Sequence, residues 1–335
     1  MARRWRTLGR RELARLRESA EFQLYDGFPQ GRALDVRSAD GTTIHTEVFG
    51  PEDGYPVVLT HGFCCRIDFW ANQIAALSAD CRVIAFDHRG HGRSARPARH
   101  AWTVEHLRED LAAVVRTALR PGERALIAGH SMGGITIQAW AHGYPDEVAR
   151  FADSIALINS SPGGIGTAVA ATMSGGGLRE PISALLDRAV PGAAHLFGGM
   201  PVPRRLPRRS SLMSPVAIGA AARPAARALI QELVLTTPSS TRGGFLRTLL
   251  RVRDGQFGIS WLTAPTLVIG STDDQLLGFA ASERLVRRFP NSAGLVEIPG
   301  GHSGPVEQPD AVTAELRKLA GLHPSCTPPI SSTRR

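Results

Sequence analysis

Ser131 stands in Gly129-His130-Ser131-Met132-Gly133, with a further glycine at 134, where the apolar run 125–128 ends. A serine in a core or at a helix cap needs no such neighbours. One at the apex of a tight strand-to-helix turn does, because flanking side chains would collide with the adjoining strand and helix backbone. Such a turn exposes the Ser131 hydroxyl and aims the Met132 N–H at the same space. A serine hydroxyl is a poor nucleophile until a base takes its proton and a third group orients that base. His302, in IPGGHSGP, follows the last strand-like run and can be the base. The stretch PTLVIGSTDDQ offers Asp273 and Asp274, the latter 28 residues before it (302 − 274). The segment after SIALI, where an acid could stand instead, presents Asn159-Ser160-Ser161 and no carboxylate. One of the two aspartates is then a turn residue that accepts backbone N–H groups. Acyl chemistry also requires two N–H donors for the developing oxyanion. Met132 supplies one, and Phe63, in His61-Gly62-Phe63 after the run PVVLT, supplies the other. Cys64 and Cys65 prolong that loop and read as small apolar filling beneath the site.

These residues need a scaffold that brings distant loops to one edge. Short apolar runs at 33–38, 43–50, 56–62, 82–87, 124–129, 154–160, 265–271 and 294–300 alternate with helical patterns at 67–78, 103–119, 131–143, 282–289 and 310–321. That alternation predicts an α/β fold, a mostly parallel eight-stranded sheet covered by helices on both faces. Thr103, followed by Glu105 and Asp110, reads as a capped helix start. The rhythm breaks over 162–262, which is too long for a connection and reads as an inserted helical cap above the carboxyl edge, where ligands bind in open sheets. The chain thus divides into a basic N-terminal extension (1–22), core (23–161), cap (162–262), core (263–322) and a disordered Pro/Ser/Thr-rich tail (323–335).

The order Ser…Asp…His, with HGF (61–63), DHRGHGRS (87–94), GHSMGG (129–134), PTLVIGSTDD (265–274) and GGHSG (300–304), resembles the α/β-hydrolase family from about Asp35 to Leu319. The cap matches nothing in particular. The resemblance implies Ser131 as nucleophile, His302 as base and Asp274, the second of its pair, as the acid. DHRGHGRS looks like the family's structural D-x-R-G-x-G-x-S turn, so His88 and His91 are expected to be structural. Family members that open epoxides or displace halide use an aspartate at the elbow, and the former add cap tyrosines. Here the elbow carries serine, and Tyr25, Tyr55 and Tyr144 all lie outside 162–262. What remains is acyl transfer on an apolar ester, as in a carboxylesterase or acylglycerol-type lipase. Phe63, Trp70 and Ser131-Met132 also resemble the cofactor-free haloperoxidases and perhydrolases. A C–C bond hydrolase is a third reading, and a catalytically inactive ligand-binding relative is a fourth.

Composition bounds the partners. The 335 residues are 43% hydrophobic and 21% charged, ordinary for a soluble globular protein. The N-terminus lacks the apolar centre of a secretory signal, which predicts a cytoplasmic protein. Cys64, Cys65, Cys81 and Cys326 fit no zinc spacing or disulfide framework and are expected as free thiols. No metal site or nucleotide-binding G-x-G-x-x-G is visible, so no cofactor is expected. The net charge of +9 is arginine-borne, Lys318 being the only lysine, and seven arginines fall within residues 1–20. The Arg3–Arg17 segment reads either as a solvated tail or as a basic helix lying on an anionic membrane surface. Nucleic acid is not expected, since no basic stripe is interleaved with aromatics. The sequence does not disclose the oligomeric state.

Overall fold

A computed structural model describes residues 30–164 and 214–321, together with Arg15, Phe22, Tyr25 and Phe28. Eight strands form one sheet: β1 (Arg32–Arg37), β2 (Thr43–Phe49), β3 (Tyr55–Thr60), β4 (Cys81–Phe86), β5 (Ala125–His130), β6 (Ala152–Ile158), β7 (Thr266–Ser271) and β8 (Ser292–Ile298), in the order β1-β2-β4-β3-β5-β6-β7-β8. Only β2 runs against its neighbours; every pairing from β4 to β8 is parallel. Side chains alternate faces along a strand. Val57 and Leu59 of β3 therefore enter one core, with Leu126, Ile158 and Ile269, while Val58 enters the other, with Ile127, Ile155 and Val268.

Helices cover both faces. α1 (Ala71–Leu77) and α10 (Pro309–Leu319) bring Ile74, Leu77, Val312 and Leu316 to the first core. α2 (Val104–Ala118), α3 (Met132–Gly143), α4 (Pro145–Phe151) and α8 (Phe279–Val286) bring Leu111, Trp140, Val148 and Leu285 to the second. The Thr103 hydroxyl caps α2, accepting the His106 N–H at 3.4 Å. Element edges depart from expectation in physical ways. The helix expected over 67–78 opens as a 3-10 turn at Ile67–Trp70, and the one expected from 282 starts at Phe279, just after Gly278 with its φ of 72°. α4 is an addition to the predicted elements, set off from α3 by Pro145, whose fixed φ suits the first helical position.

Of the 162–262 segment, residues 214–262 are described. They form α5 (Ser214–Ala217), α6 (Pro224–Thr236), α7 (Ser239–Arg251) and a 3-10 turn at Ile259–Trp261. Phe245 and Leu249 of α7 pack with Trp102, Met132 and Ile135 in a third apolar cluster. The Thr241 hydroxyl donates to the Gly90 carbonyl at 2.8 Å, pinning α7 to the loop after β4. That loop is itself anchored by Arg89, fully buried, whose guanidinium grips Asp110 of α2 through Nε at 2.7 Å and Nη2 at 2.6 Å. Phe22 and Tyr25 are buried in the first core. The rest of the basic segment 1–22, apart from the exposed Arg15, and the tail after 321 lie outside the described residues, as does 165–213 of the insertion. Among the described residues no helix is long and apolar enough to cross a membrane.

Candidate active site

β5 runs into α3 through Ser131, whose φ of 50° and ψ of −113° lie where L side chains rarely sit. Such a conformation costs about 1–3 kcal/mol and persists only where the surroundings enforce it. They do so here. The Ser131 N–H donates to the Ile158 carbonyl at 3.0 Å, and its carbonyl accepts the Ser160 hydroxyl at 3.0 Å. The glycines are a packing requirement. A Cβ on Gly129 would lie 2.6 Å from Ile137 Cδ1 and 2.7 Å from the Gly133 carbonyl carbon, and one on Gly133 would lie 2.8 Å from the Thr60 carbonyl carbon.

His302 arrives on the loop between β8 and α9 (Gly304–Glu307). Its Nε2 lies 2.9 Å from Ser131 Oγ and its Nδ1 lies 2.8 Å from Asp274 Oδ2. The tautomer that fits has Nδ1–H donating to the carboxylate and Nε2 accepting the serine proton. Asp274, after β7, takes the N–H groups of Leu276 and Leu277 on Oδ1 at 2.9 and 3.0 Å, and the Asn159 amide on Oδ2 at 3.3 Å. Burial pushes the Asp274 carboxyl up, but the His302 charge, its hydrogen bond and the two backbone N–H groups outweigh that and hold it at about 2. Asp273 is exposed. Of the two aspartates, Asp274 is the one hydrogen-bonded to His302.

Phe63 lies on the loop after β3 and Met132 at the start of α3. The first N–H groups of a helix have no intrahelical acceptor, which suits Met132 as a donor. Both border Ser131, Phe63 as a cavity wall and Met132 as its neighbour in sequence. The Phe63 loop is stiffened next door. Cys64, at φ 59°, donates its N–H to His91 Nε2 at 3.2 Å, and the Cys65 N–H reaches the Gly62 carbonyl at 3.2 Å. The His91 ring stacks on Phe245 of the insertion, 5.6 Å between centroids. Burial drives the His91 ring down to about 4 and His88 to about 3, so both are neutral framework groups at ordinary pH. Cys64 and Cys65 are free, buried thiols that burial pushes up, Cys64 to about 12. They form cavity wall beside Ser131. Among the described residues no three His, Cys, Asp or Glu side chains gather as a metal ion would require.

Sequence reasoning passed over three residues of this site. Asn159 had been set aside because it is no acid; at φ 44° it takes the left-handed conformation asparagine tolerates, and its amide braces the acid instead. His130 stacks on Phe69 at 4.6 Å, and its Nε2–H donates to the His302 carbonyl at 2.8 Å. Burial, reinforced by His302, drives His130 to about 3, so it remains neutral. Glu307 holds the backbone on either side of His302. Its position five residues after a loop histidine, on the next helix, was the available clue.

Above Ser131 lies a cavity of about 50 Å³ walled by Phe63, Cys65, Ile230, Leu233, Val234 and Leu276, with the hydroxyl and imidazole at one end. 

The sequence model of the alpha/beta hydrolase fold matches residues 55–309. A non-heme chloroperoxidase of Streptomyces lividans is 39% identical over 117 residues, 34% of this chain and 41% of that protein, so the match spans less than half of that relative. Among solved structures, a thermophilic esterase of Thermogutta terrifontis superposes with a TM-score of 0.66 at 24% identity, over 87% of this chain and 97% of that one. The esterase RhEst1 of Rhodococcus sp. ECU1013 superposes at 0.63 with 24% identity, over 86% and 98%. At these identities the structural likeness is one of fold.

Proposed function

Since the chain belongs to the alpha/beta hydrolase fold family, we propose that it is a serine hydrolase that cleaves carboxylic esters of apolar acyl groups through an acyl-serine intermediate. The observation that carries this reading is the unbroken line Ser131 Oγ, His302 Nε2, His302 Nδ1, Asp274 Oδ2, with steps of 2.9 and 2.8 Å. In the first step His302 Nε2 takes the Ser131 proton as Oγ bonds to the ester carbonyl carbon. The oxyanion that forms lies against the N–H groups of Phe63 and Met132. Asp274 keeps its charge and stabilises the imidazolium. His302 then returns the proton to the leaving alkoxide, the C–O bond breaks, and the alcohol departs. Water, deprotonated by the same nitrogen, attacks the acyl carbon, and collapse of the second tetrahedral intermediate frees the acid and Ser131.

The apolar walls of the cavity, Phe63, Ile230, Leu233 and Val234, support an apolar acyl group. The test is stopped-flow hydrolysis of p-nitrophenyl acetate and butyrate. A burst of nitrophenolate stoichiometric with enzyme is expected, as is labelling of Ser131 by a fluorophosphonate, both lost in Ser131→Ala. Undiminished turnover in that variant would overturn the mechanism.

The likeness to a chloroperoxidase supports a second reading, in which peroxide replaces water as acceptor and a peracid leaves. Peracid formation from acetate and hydrogen peroxide, measured against ester hydrolysis on the same enzyme, separates the two.

A further inference from the structure

We propose that Glu307 is a positioning residue for His302, a latch through which the inserted segment's seating is passed to the base. The proposal rests on the reading of His302 as that base.

Glu307 ends the short helix α9, and its carboxylate turns back over the loop it follows. Oε2 accepts the Gly301 N–H at 2.9 Å and Oε1 accepts the Ser303 N–H at 3.1 Å. The N–H groups of the residues before and after His302 are thus held by one side chain, while the His302 carbonyl is held by His130 at 2.8 Å. The loop is rich in glycine: Gly300, at φ 110°, and Gly301 precede the histidine, and Gly304 opens α9. Where such freedom surrounds a base, the placement of its ring depends on how the neighbouring peptides are tied down.

The same Oε2 also accepts a third N–H, from Gly219 of the insertion, at 3.0 Å. Insertion and histidine loop touch there backbone to backbone. A Cβ on Gly219 would lie 2.6 Å from Glu307 Oε2 and 2.8 Å from the Gly301 nitrogen, and one on Gly301 would lie 2.7 Å from Gly219 Cα. A second strap runs alongside, the Ser303 hydroxyl donating to the Ala217 carbonyl at 2.5 Å. Val216 and Ala217, three and two residues before Gly219, join the wall of the Ser131 cavity. A substrate that moves this wall therefore pulls on the strand of chain bonded to Glu307, and Glu307 is bonded to both neighbours of His302.

Glu307→Gln keeps the shape, removes the charge and turns an NH2 group toward at least one N–H donor. The full-length enzyme is assayed with p-nitrophenyl butyrate, and kcat is expressed per site titrated by a fluorophosphonate, so that loss of folded protein does not register. The expected result is a fall in kcat of about tenfold or more with KM within twofold. Gly219→Ala is expected to reproduce part of that fall, and the double variant to be no slower than the slower single one, because both break the same connection. A kcat per titrated site within twofold of wild type in Glu307→Gln overturns the latch on its own. Losses that multiply in the double variant overturn the link to the insertion. A wild-type protein that cleaves no ester would instead sink the functional reading. The latch is then judged by proton NMR of the resting protein, where Glu307→Gln must shift or broaden the His302 Nδ1–H resonance and an unchanged signal refutes it.

Discussion

Replacing Asp274 by asparagine tests the orientation of the base with almost no change of shape. Oδ1 of Asp274 accepts two backbone N–H groups, from Leu276 and Leu277, at 2.9 and 3.0 Å. In Asp274→Asn those donors hold the amide oxygen on their side, and the NH2 group falls where Oδ2 was, 2.8 Å from His302 Nδ1 and 3.3 Å from the Asn159 amide. To meet an N–H donor, His302 must present a bare Nδ1, which moves the ring proton to Nε2. That nitrogen faces Ser131 Oγ at 2.9 Å and, once protonated, can no longer take the serine proton. The wrong tautomer costs serine hydrolases about 10⁴-fold in kcat, or about 5 kcal/mol of barrier. The assay is kcat/KM on p-nitrophenyl butyrate at pH 8, with folding checked by thermal melting and with exposed Asp273→Asn as a control expected within twofold of wild type. A loss below tenfold in Asp274→Asn, in protein that melts normally, would refute the assignment of the proton to Nδ1.

Gly133→Ala should place a methyl group 2.8 Å from the Thr60 carbonyl carbon and 2.9 Å from the His61 oxygen. Differential scanning calorimetry should show a destabilisation of about 1–3 kcal/mol, with activity lost even well below the melting temperature; a variant with wild-type melting and turnover would contradict the packing argument. Leu233→Ala should enlarge the cavity beside Ser131 and move the preferred acyl length upward by about two carbons, each methylene being worth about 0.8 kcal/mol. A series of p-nitrophenyl esters reads this, and an unmoved optimum means that Leu233 does not bound the acyl site. Acid unfolding follows from Asp274. Its folded value of about 2 lies below the unfolded 3.8, so its contribution, at most about 2 kcal/mol, is present above pH 4 and lost as pH falls through 2. Wild type and Asp274→Asn should therefore converge in stability at pH 2, and a gap between them that widens on acidification would reverse the sign of the argument.

Ser131, His302 and the Asp273-Asp274 pair were legible because an elbow, a glycine-rich loop and a strand end each demand particular residue types in a short stretch. Every strand was legible too, to within two residues at each end, and from β3 to β7 this is because a parallel sheet covered on both faces forces continuous apolar runs. Asn159 and Glu307 were not, because nothing in a local stretch tells that an amide will brace a carboxylate 115 residues away or that a glutamate will reach back over its own loop. The same holds for His91, whose acceptor nitrogen serves Cys64 across 27 residues. Such contacts depend on which loops the sheet order β3-β5-β6-β7-β8 makes neighbours, and crossovers leave no periodic trace. The short α4 escaped for a simpler reason: seven residues after a proline give too little pattern to separate from a turn.

Ser131, His302 and Asp274 are all borne by loops of the sheet, whereas Ile230, Leu233 and Val234 of the cavity wall are contributed by a separate stretch of chain laid across them. A change in that lining that leaves Gly219 in place keeps the seam with the His302 loop, whereas even a methyl group at position 219 would press on Glu307 and on the Gly301 nitrogen.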